Sequence, residues 1–389
     1  MAKSEGDRTE QAERADPQFY LTRQPVMFAL LSVLAVVLFL VVTGLSHLYH
    51  AQQESLGNRW FARGVADLNA QRFDRAVIEF RAALVYSRDN YSYQLNLAEA
   101  LFGLKRTDEA YAYFITLWDR QPENGLVNLE LARIAAQKAE TEQALRYYHN
   151  AIYAVWPDDQ ELQRREARLE LIEFLLSINS NAQAQAELIA LAANMGDDSA
   201  QQAHVGDLFV RAQDYEHALV AYRVTLKSDH HNGPALAGAG LAAFELGRYP
   251  LAYRYLEAAV NGNASDAQSA ARLKTTELVL ELDPFQRQIT VAQRNRIVVN
   301  AFATAGERLK ACGFASKPPS TISPLSSLAE SWTRLKSRIS PAGLRRNPDL
   351  AEETMDLVFN IERQASANCG APAGTDLALL LIAKLHEGN

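Results

Sequence analysis

The hydrophobic and polar positions of this chain change period along its length, and each period predicts a different element. From Val26 to Leu45 the sequence VMFALLSVLAVVLFLVVTGL is apolar on every face, interrupted only by Ser32, Thr43 and Gly44. At ~1.5 Å per residue this run covers the ~30 Å hydrocarbon layer of a bilayer. No Asp, Glu, Lys or Arg occurs from Gln24 to Gln53, so residues 26–46 are predicted to form a transmembrane helix. A cleaved signal sequence would carry an apolar core of only ~7–15 residues ending at a small-x-small site, whereas Ser46-His47-Leu48-Tyr49 follows here. The expectation is a retained anchor. Residues 1–25 are polar and are expected to be a disordered tail. Beyond residue 58 the apolar positions recur at helical spacing between short polar turns, which predicts an all-α chain.

A longer period lies over the helical one. Ala76, Ala110 and Ala144 are 34 residues apart, as are Ala184, Ala218 and Ala252, and an interval of 40 separates the two groups. One six-residue insertion, placed near Trp156-Pro157-Asp158-Asp159, keeps six units in register. Four residues after each alanine stand Phe80, Phe114, Tyr148, Leu188, Tyr222 and Leu256; twelve before stand Gly64, Ala98, Ala132, Ile172, Gly206 and Gly240. Small residues where two helices meet, with a bulky residue one turn on, are what a helical hairpin repeat needs. The fourth unit departs from the pattern through Ile172 at the small position, with its turn at Ser177–Asn181.

Over residues 58–262 the chain therefore resembles the tetratricopeptide repeat (TPR) family. The resemblance implies a helical solenoid whose concave face, built from the first helix of each hairpin, holds a peptide or partner helix. The positions it places there are Phe61, Val65 and Leu68; Leu95, Asn96, Glu99 and Phe102; Leu129 and Arg133; and Leu241, Phe244 and Glu245. The family's lysine/asparagine clamp for C-terminal carboxylates would fall on Phe61, Val65, Leu126 and Glu130, and of its residues only Asn96 matches. An apolar or amphipathic segment is the better-fitting ligand. Packing within the chain, or self-association, is the competing use of the same residues.

A helical pattern at Asp266–Asp283 is expected to cap the array, because interior repeats bury their apolar sides only against neighbours. Residues 284–389 leave the 34-residue period and predict a small helical module, with helices at Gln286–Cys312, Pro324–Arg338, Asp349–Asn368 and Thr375–Glu387. The separators are Lys317-Pro318-Pro319, Ser340-Pro341-Ala342-Gly343 and Cys369-Gly370-Ala371-Pro372, and Asp349 with Glu352 reads as a capping box. Cys312 and Cys369 are the only cysteines. Outside the cytoplasm they are expected to pair, the alternatives being two free thiols or, with no second ligand at suitable spacing, a metal site.

Charge adds direction. Lys3, Arg8, Arg14 and Arg23 precede the apolar helix, against only Arg59 and Arg63 in the 20 residues after Leu45, which predicts a cytoplasmic N-terminus with the bulk of the chain periplasmic or otherwise extracytoplasmic. The net charge of −7 argues against a nucleic-acid partner and conceals an uneven distribution: −1 in the tail, −10 over residues 47–283 and +4 over 284–389. Arg334, Lys336, Arg338, Arg345 and Arg346 form a basic run beside Trp332; it is either a solvated face or a contact for an anionic partner or head groups. The sequence carries no phosphate loop, GxSxG elbow, HExxH or CxxCH motif. His230-His231 in a turn does not make a ligand set. The expectation is a non-enzymatic, cofactor-free, membrane-anchored scaffold that binds proteins in an envelope assembly. The alternatives are a translocon-associated periplasmic chaperone or holdase, or a C-terminal module that acts as a small enzyme or ligand sensor.

Overall fold

The computed structural model describes residues 17–387 except 157–159, 197, 264 and 316–323. The expected tail at residues 1–16, the insertion point at 157–159 and the separator at 317–319 lie outside the described residues. The chain divides into two compact units, residues 1–167 and 168–389, and each is taken by itself.

The first unit opens with α1 (Pro17–Asn69), a single helix of 53 residues and about 80 Å. Residues 17–25, expected to belong to a disordered tail, are its first turns. Its apolar stretch is exposed on all sides, with Phe39 at 70% and Leu48 at 70%. Ser32 and Thr43 return their hydroxyls to the Phe28 and Phe39 carbonyls at 2.8 and 2.7 Å, so neither leaves an unpaired donor on the apolar surface. No break separates this stretch from the first repeat. The polar residues between Ser46 and Asn58 are all helix-compatible, and the helix runs through them until its last turns pack on α2 (Phe73–Tyr86).

Two further hairpins follow in this unit: α3 (Tyr91–Gly103) with α4 (Thr107–Arg120), and α5 (Gly125–Gln137) with α6 (Thr141–Tyr153). The second unit takes in most of α7 (Gln160–Ser177) and α8 (Asn181–Ala193), then α9 (Ser199–Arg211) with α10 (Tyr215–Ser228), and α11 (Gly233–Glu245) with α12 (Tyr249–Gly262). These are TPR-type hairpins. All six register alanines are the fourth residue of the second helix of their hairpin, and all are fully buried. The small-to-bulky pairing is a direct contact. A Cβ added at Gly64 would sit 2.5 Å from the Phe80 ring, and one at Gly206 would sit 2.7 Å from Tyr222. In the fourth hairpin Ile172 and Leu188 are both fully buried, a larger residue facing a smaller one at the same two positions.

Two recurring devices fix the hairpin ends. Asn90, Asn124, Asp198 and Asn232 cap the first helices of repeats two, three, five and six by accepting backbone N–H bonds. The equivalent positions in repeats one and four, Leu56 and Arg164, lie inside α1 and α7, so no cap is needed there. α7 is 18 residues long where α3, α5, α9 and α11 are each 13, and its C-terminal end keeps the register; the insertion has lengthened this helix at its start. The chain then turns from the first helix to the second through one residue of positive φ in every hairpin: Gln71, Lys105, Ala139, Asn179, Gln213 and Gly247.

Residues 284–389 are not a separately cored body. α13 (Ala267–Leu282), capped by Asp266, is followed by α14 (Val291–Ala315), α15 (Pro324–Leu335), α16 (Pro341–Arg346), α17 (Asp349–Cys369) and α18 (Thr375–His386). One cluster joins Val298, Phe302, Met355, Val358, Leu379 and Ile382 to Tyr249 of α12 and Val279 of α13, and α18 lies against α13. α14 starts five residues later than the sequence pattern predicts, and α16 occupies an expected separator. The predicted capping box is absent: Asp349 is the first residue of α17, Pro348 holds the cap position without a side-chain bond, and Glu352 faces Arg294 at 3.7 Å. Cys312 and Cys369 are joined by a disulfide that ties α14 to α17 across 57 residues, a closure worth ~4 kcal/mol in the chain-entropy picture.

Candidate functional site

The residues assigned to a binding groove divide into three groups. Phe61, on α1, is already in use: it stacks on Tyr93 at 4.9 Å between centroids and leans on Phe80 at 5.7 Å, while Tyr93 donates its hydroxyl to Asn58 at 2.7 Å. Leu129 is 5% exposed and belongs to the core, so the expectation that it faces a groove is corrected. α5 buries a broader face than a 3.6-residue period with one wet side predicts, taking Val127, Asn128, Leu129, Glu130 and Leu131 inside together. The second group, Val65, Leu68, Leu95, Asn96, Glu99, Phe102 and Arg133, is half-buried on α1, α3 and α5. Asn96 donates to the Ser92 carbonyl of its own helix at 3.0 Å.

Within that second group the structure assembles a small charged centre. Glu130 and Arg133 are ion-paired one turn apart on α5, with Glu130 almost wholly enclosed. Glu99 reaches the same place from α3. Burial pushes its carboxyl up to about 7, the neighbouring Glu130 carboxylate adds to the rise, and Arg133 opposes it. Glu99, Glu130 and Arg133 thus form one electrostatically coupled group on the half-buried face of α3 and α5. Glu130 was visible in the sequence only as an acid at a clamp position. Its partnership with Glu99 depends on two helices meeting and left no sequence signal.

The third group belongs to repeat six in the second unit. Leu241 is half-buried, Phe244 meets Tyr249 edge-on at 5.7 Å, and Phe244 also packs against the core of the C-terminal helices. Phe244 and Glu245 line a depression of about 270 Å³ with Leu381, Lys384 and Leu385 of α18, so the chain's own last helix partly covers this end of repeat six.

In the C-terminal helices, Arg334, Lys336, Arg338, Arg345 and Arg346 are all exposed at the end of α15, in α16 and in the turn between them. Lys336 lies 5.1 Å from the centroid of Trp332, which stacks on Phe302 and donates its indole N–H to the Phe302 carbonyl at 2.9 Å. Close by the disulfide, Arg308 donates to the Gly370 carbonyl at 2.9 Å and stands 3.6 Å from Asp376. Glu362 is fully buried beside them, and neither carboxylate oxygen has a hydrogen-bond partner. Burial raises Glu362 to about 7, Asp376 adds to the rise and Arg308 opposes it. Among the described residues no three His, Cys, Asp or Glu side chains converge as a metal site would require.

No protein-family model and no curated protein matches the chain. Solved structures do. The chain is similar to YrrB, a TPR protein with an unusual peptide-binding site, at 14% identity over 49% of this chain and 95% of that one, with a TM-score of 0.39. It is similar to pilF of Pseudomonas aeruginosa at 14% identity over 56% and 97%, with a TM-score of 0.40. It is also similar to PilW, a widely conserved type IV pilus biogenesis factor, at 17% identity over 57% and 98%, with a TM-score of 0.39. These likenesses concern the arrangement of helices and assign no partner to this chain.

Proposed function

We propose that this chain is a membrane-anchored scaffold that binds protein partners outside the cytoplasm through the first-helix face of its repeats, serving the assembly or stabilisation of an envelope complex. The observation that carries the reading is α1, one helix that presents an apolar surface exposed on all sides at one end and forms half of the first repeat at the other. An exposed apolar surface of that extent is costly in water and favourable in a bilayer. The placement of Lys and Arg around it favours a cytoplasmic N-terminus, and the Cys312–Cys369 disulfide suits an oxidising compartment. The half-buried residues of α3 and α5 are a partner surface with apolar flanks, Leu95 and Phe102, around the Glu99/Glu130/Arg133 centre. That combination suits an amphipathic helix or extended segment with a polar residue at its middle.

The test is affinity capture after cross-linking in cells, comparing the wild-type chain with Phe102→Asp. The expected outcome is a stable set of partners from one envelope assembly, lost in the variant although the protein accumulates normally. Identical partner lists from both chains would reject the repeat face as the binding surface. A broad spectrum of unfolded clients would select a holdase instead.

A further inference from the structure

The turn between repeats five and six holds a basic depression away from the first-helix face. Arg223 and Lys227 project from the last two turns of α10, four residues apart and therefore on one side of the helix. His230 joins them from the turn and Tyr255 from α12, and together they line a cavity of about 310 Å³ floored by Leu226 and Leu236. The floor is apolar and almost sealed, each leucine being 8% exposed. Among the described residues no carboxylate lines the cavity. The acid next in sequence, Asp229, is occupied by the His231 N–H at 3.1 Å and the Asn232 amide at 3.3 Å.

Two exposed arginines of the neighbouring helices have acidic partners. Arg211 takes Glu173 at 2.7 Å, and Arg248 takes Glu216. Arg223 and Lys227 have no such partner among the described residues, and two like charges one turn apart repel each other. The helix C-terminus that they flank offsets part of that repulsion. An anion seated between them would remove the rest.

We propose that this depression binds an acidic peptide segment, one carboxylate side chain held by Arg223 and Lys227 and a neighbouring apolar side chain resting on Leu226, Leu236 and the Tyr255 ring. The floor decides the class of ligand. A free phosphate would use the cations and leave the leucines empty, whereas an acidic residue beside an apolar one uses both. The surface is distinct from the first-helix face, so its success or failure does not decide the scaffold reading.

The test uses the full chain in detergent and a fluorescein-labelled peptide, Gly-Leu-Asp-Glu-Leu-Gly, followed by anisotropy at low salt. The expected result is saturable binding that weakens about tenfold or more with Arg223→Glu, the scale of one charge-assisted bond. Arg223→Lys should keep most of the affinity, and Arg254→Glu, on α12 outside the cavity, should change nothing. Circular dichroism of each variant establishes that the fold is kept. Equal binding of the Asn/Gln analogue of the peptide overturns the proposal, as does acidic-peptide binding indifferent to Arg223→Glu. Inorganic phosphate binding where the peptide does not would overturn it as well, by identifying a simple oxyanion site.

Discussion

At the scale of single residues the most regular feature is one that composition hides. Six turns place a residue at positive φ two positions before the second helix of the hairpin, and only Gly247 among them is a glycine. A side chain in that region pays for its Cβ, by ~1 kcal/mol for an alanine. Ala139→Gly is therefore expected to stabilise the first unit by up to about 1 kcal/mol, less the backbone entropy glycine gains when unfolded, read as a higher denaturant midpoint at unchanged slope. Gly247→Ala should do the opposite, since the new methyl group would also come within 3.3 Å of Leu385. Glu362 makes a second single-residue prediction. Its folded carboxyl titrates near 7 against 4.5 for the ordinary group, so the folded chain holds a proton that the unfolded chain releases across that window. Stability from this group is present below about pH 4.5 and is lost as pH rises through 7, on the order of 3 kcal/mol in all. Glu362→Gln should flatten that part of the pH dependence in chemical denaturation of the second unit. An unchanged slope would mean that Arg308 keeps the carboxylate charged.

At the scale of elements, the hairpins were legible because they rest on size. An alanine every 34 residues within each group of three, with a bulky residue four positions on, survives reading as a string, and both residues are buried in every hairpin. Helix starts were less legible, although the signal was present: Asn90, Asn124 and Asn232 recur in phase and each accepts a backbone N–H. Asn124→Ala should cost about 1 kcal/mol and raise amide exchange at the first turn of α5, with Val127 as the reporter. The destination of the insertion could not be read, because extra residues beside a helix can extend it or loop out, and α7 shows the former. The fate of the groove residues was the least legible. Phe61 and Leu129 have the same polarity as their half-exposed neighbours, and only the fold decides that Phe61 stacks on Tyr93 and Phe80 while Leu129 is buried.

At the scale of the whole molecule, the apolar segment was plain in sequence but its continuity was not. Residues 46–56 carry no glycine or proline that would end a helix and no apolar stripe that would demand one, so the pattern is silent where the structure is definite. The C-terminal boundary marks a change of sequence period. Asp283-Pro284 does end α13, yet Tyr249 and Val279 share a core with the helices beyond it, and a change of sequence period is not a change of body. Continuity of α1 has a mechanical meaning. A flexible tether would let the first repeat swing and spin beneath its anchor, whereas a stiff shaft transmits torque. Each residue of an α-helix advances ~1.5 Å and turns ~100°, so adding a single residue between Ser46 and Gly57 would raise the first hairpin only slightly while swinging its binding face through more than a quarter of a circle. Full helical turns of insertion would restore the azimuth at a greater height. With α1 held in a bilayer as proposed above, the helix would also act as a protractor, setting the compass direction of the first repeats.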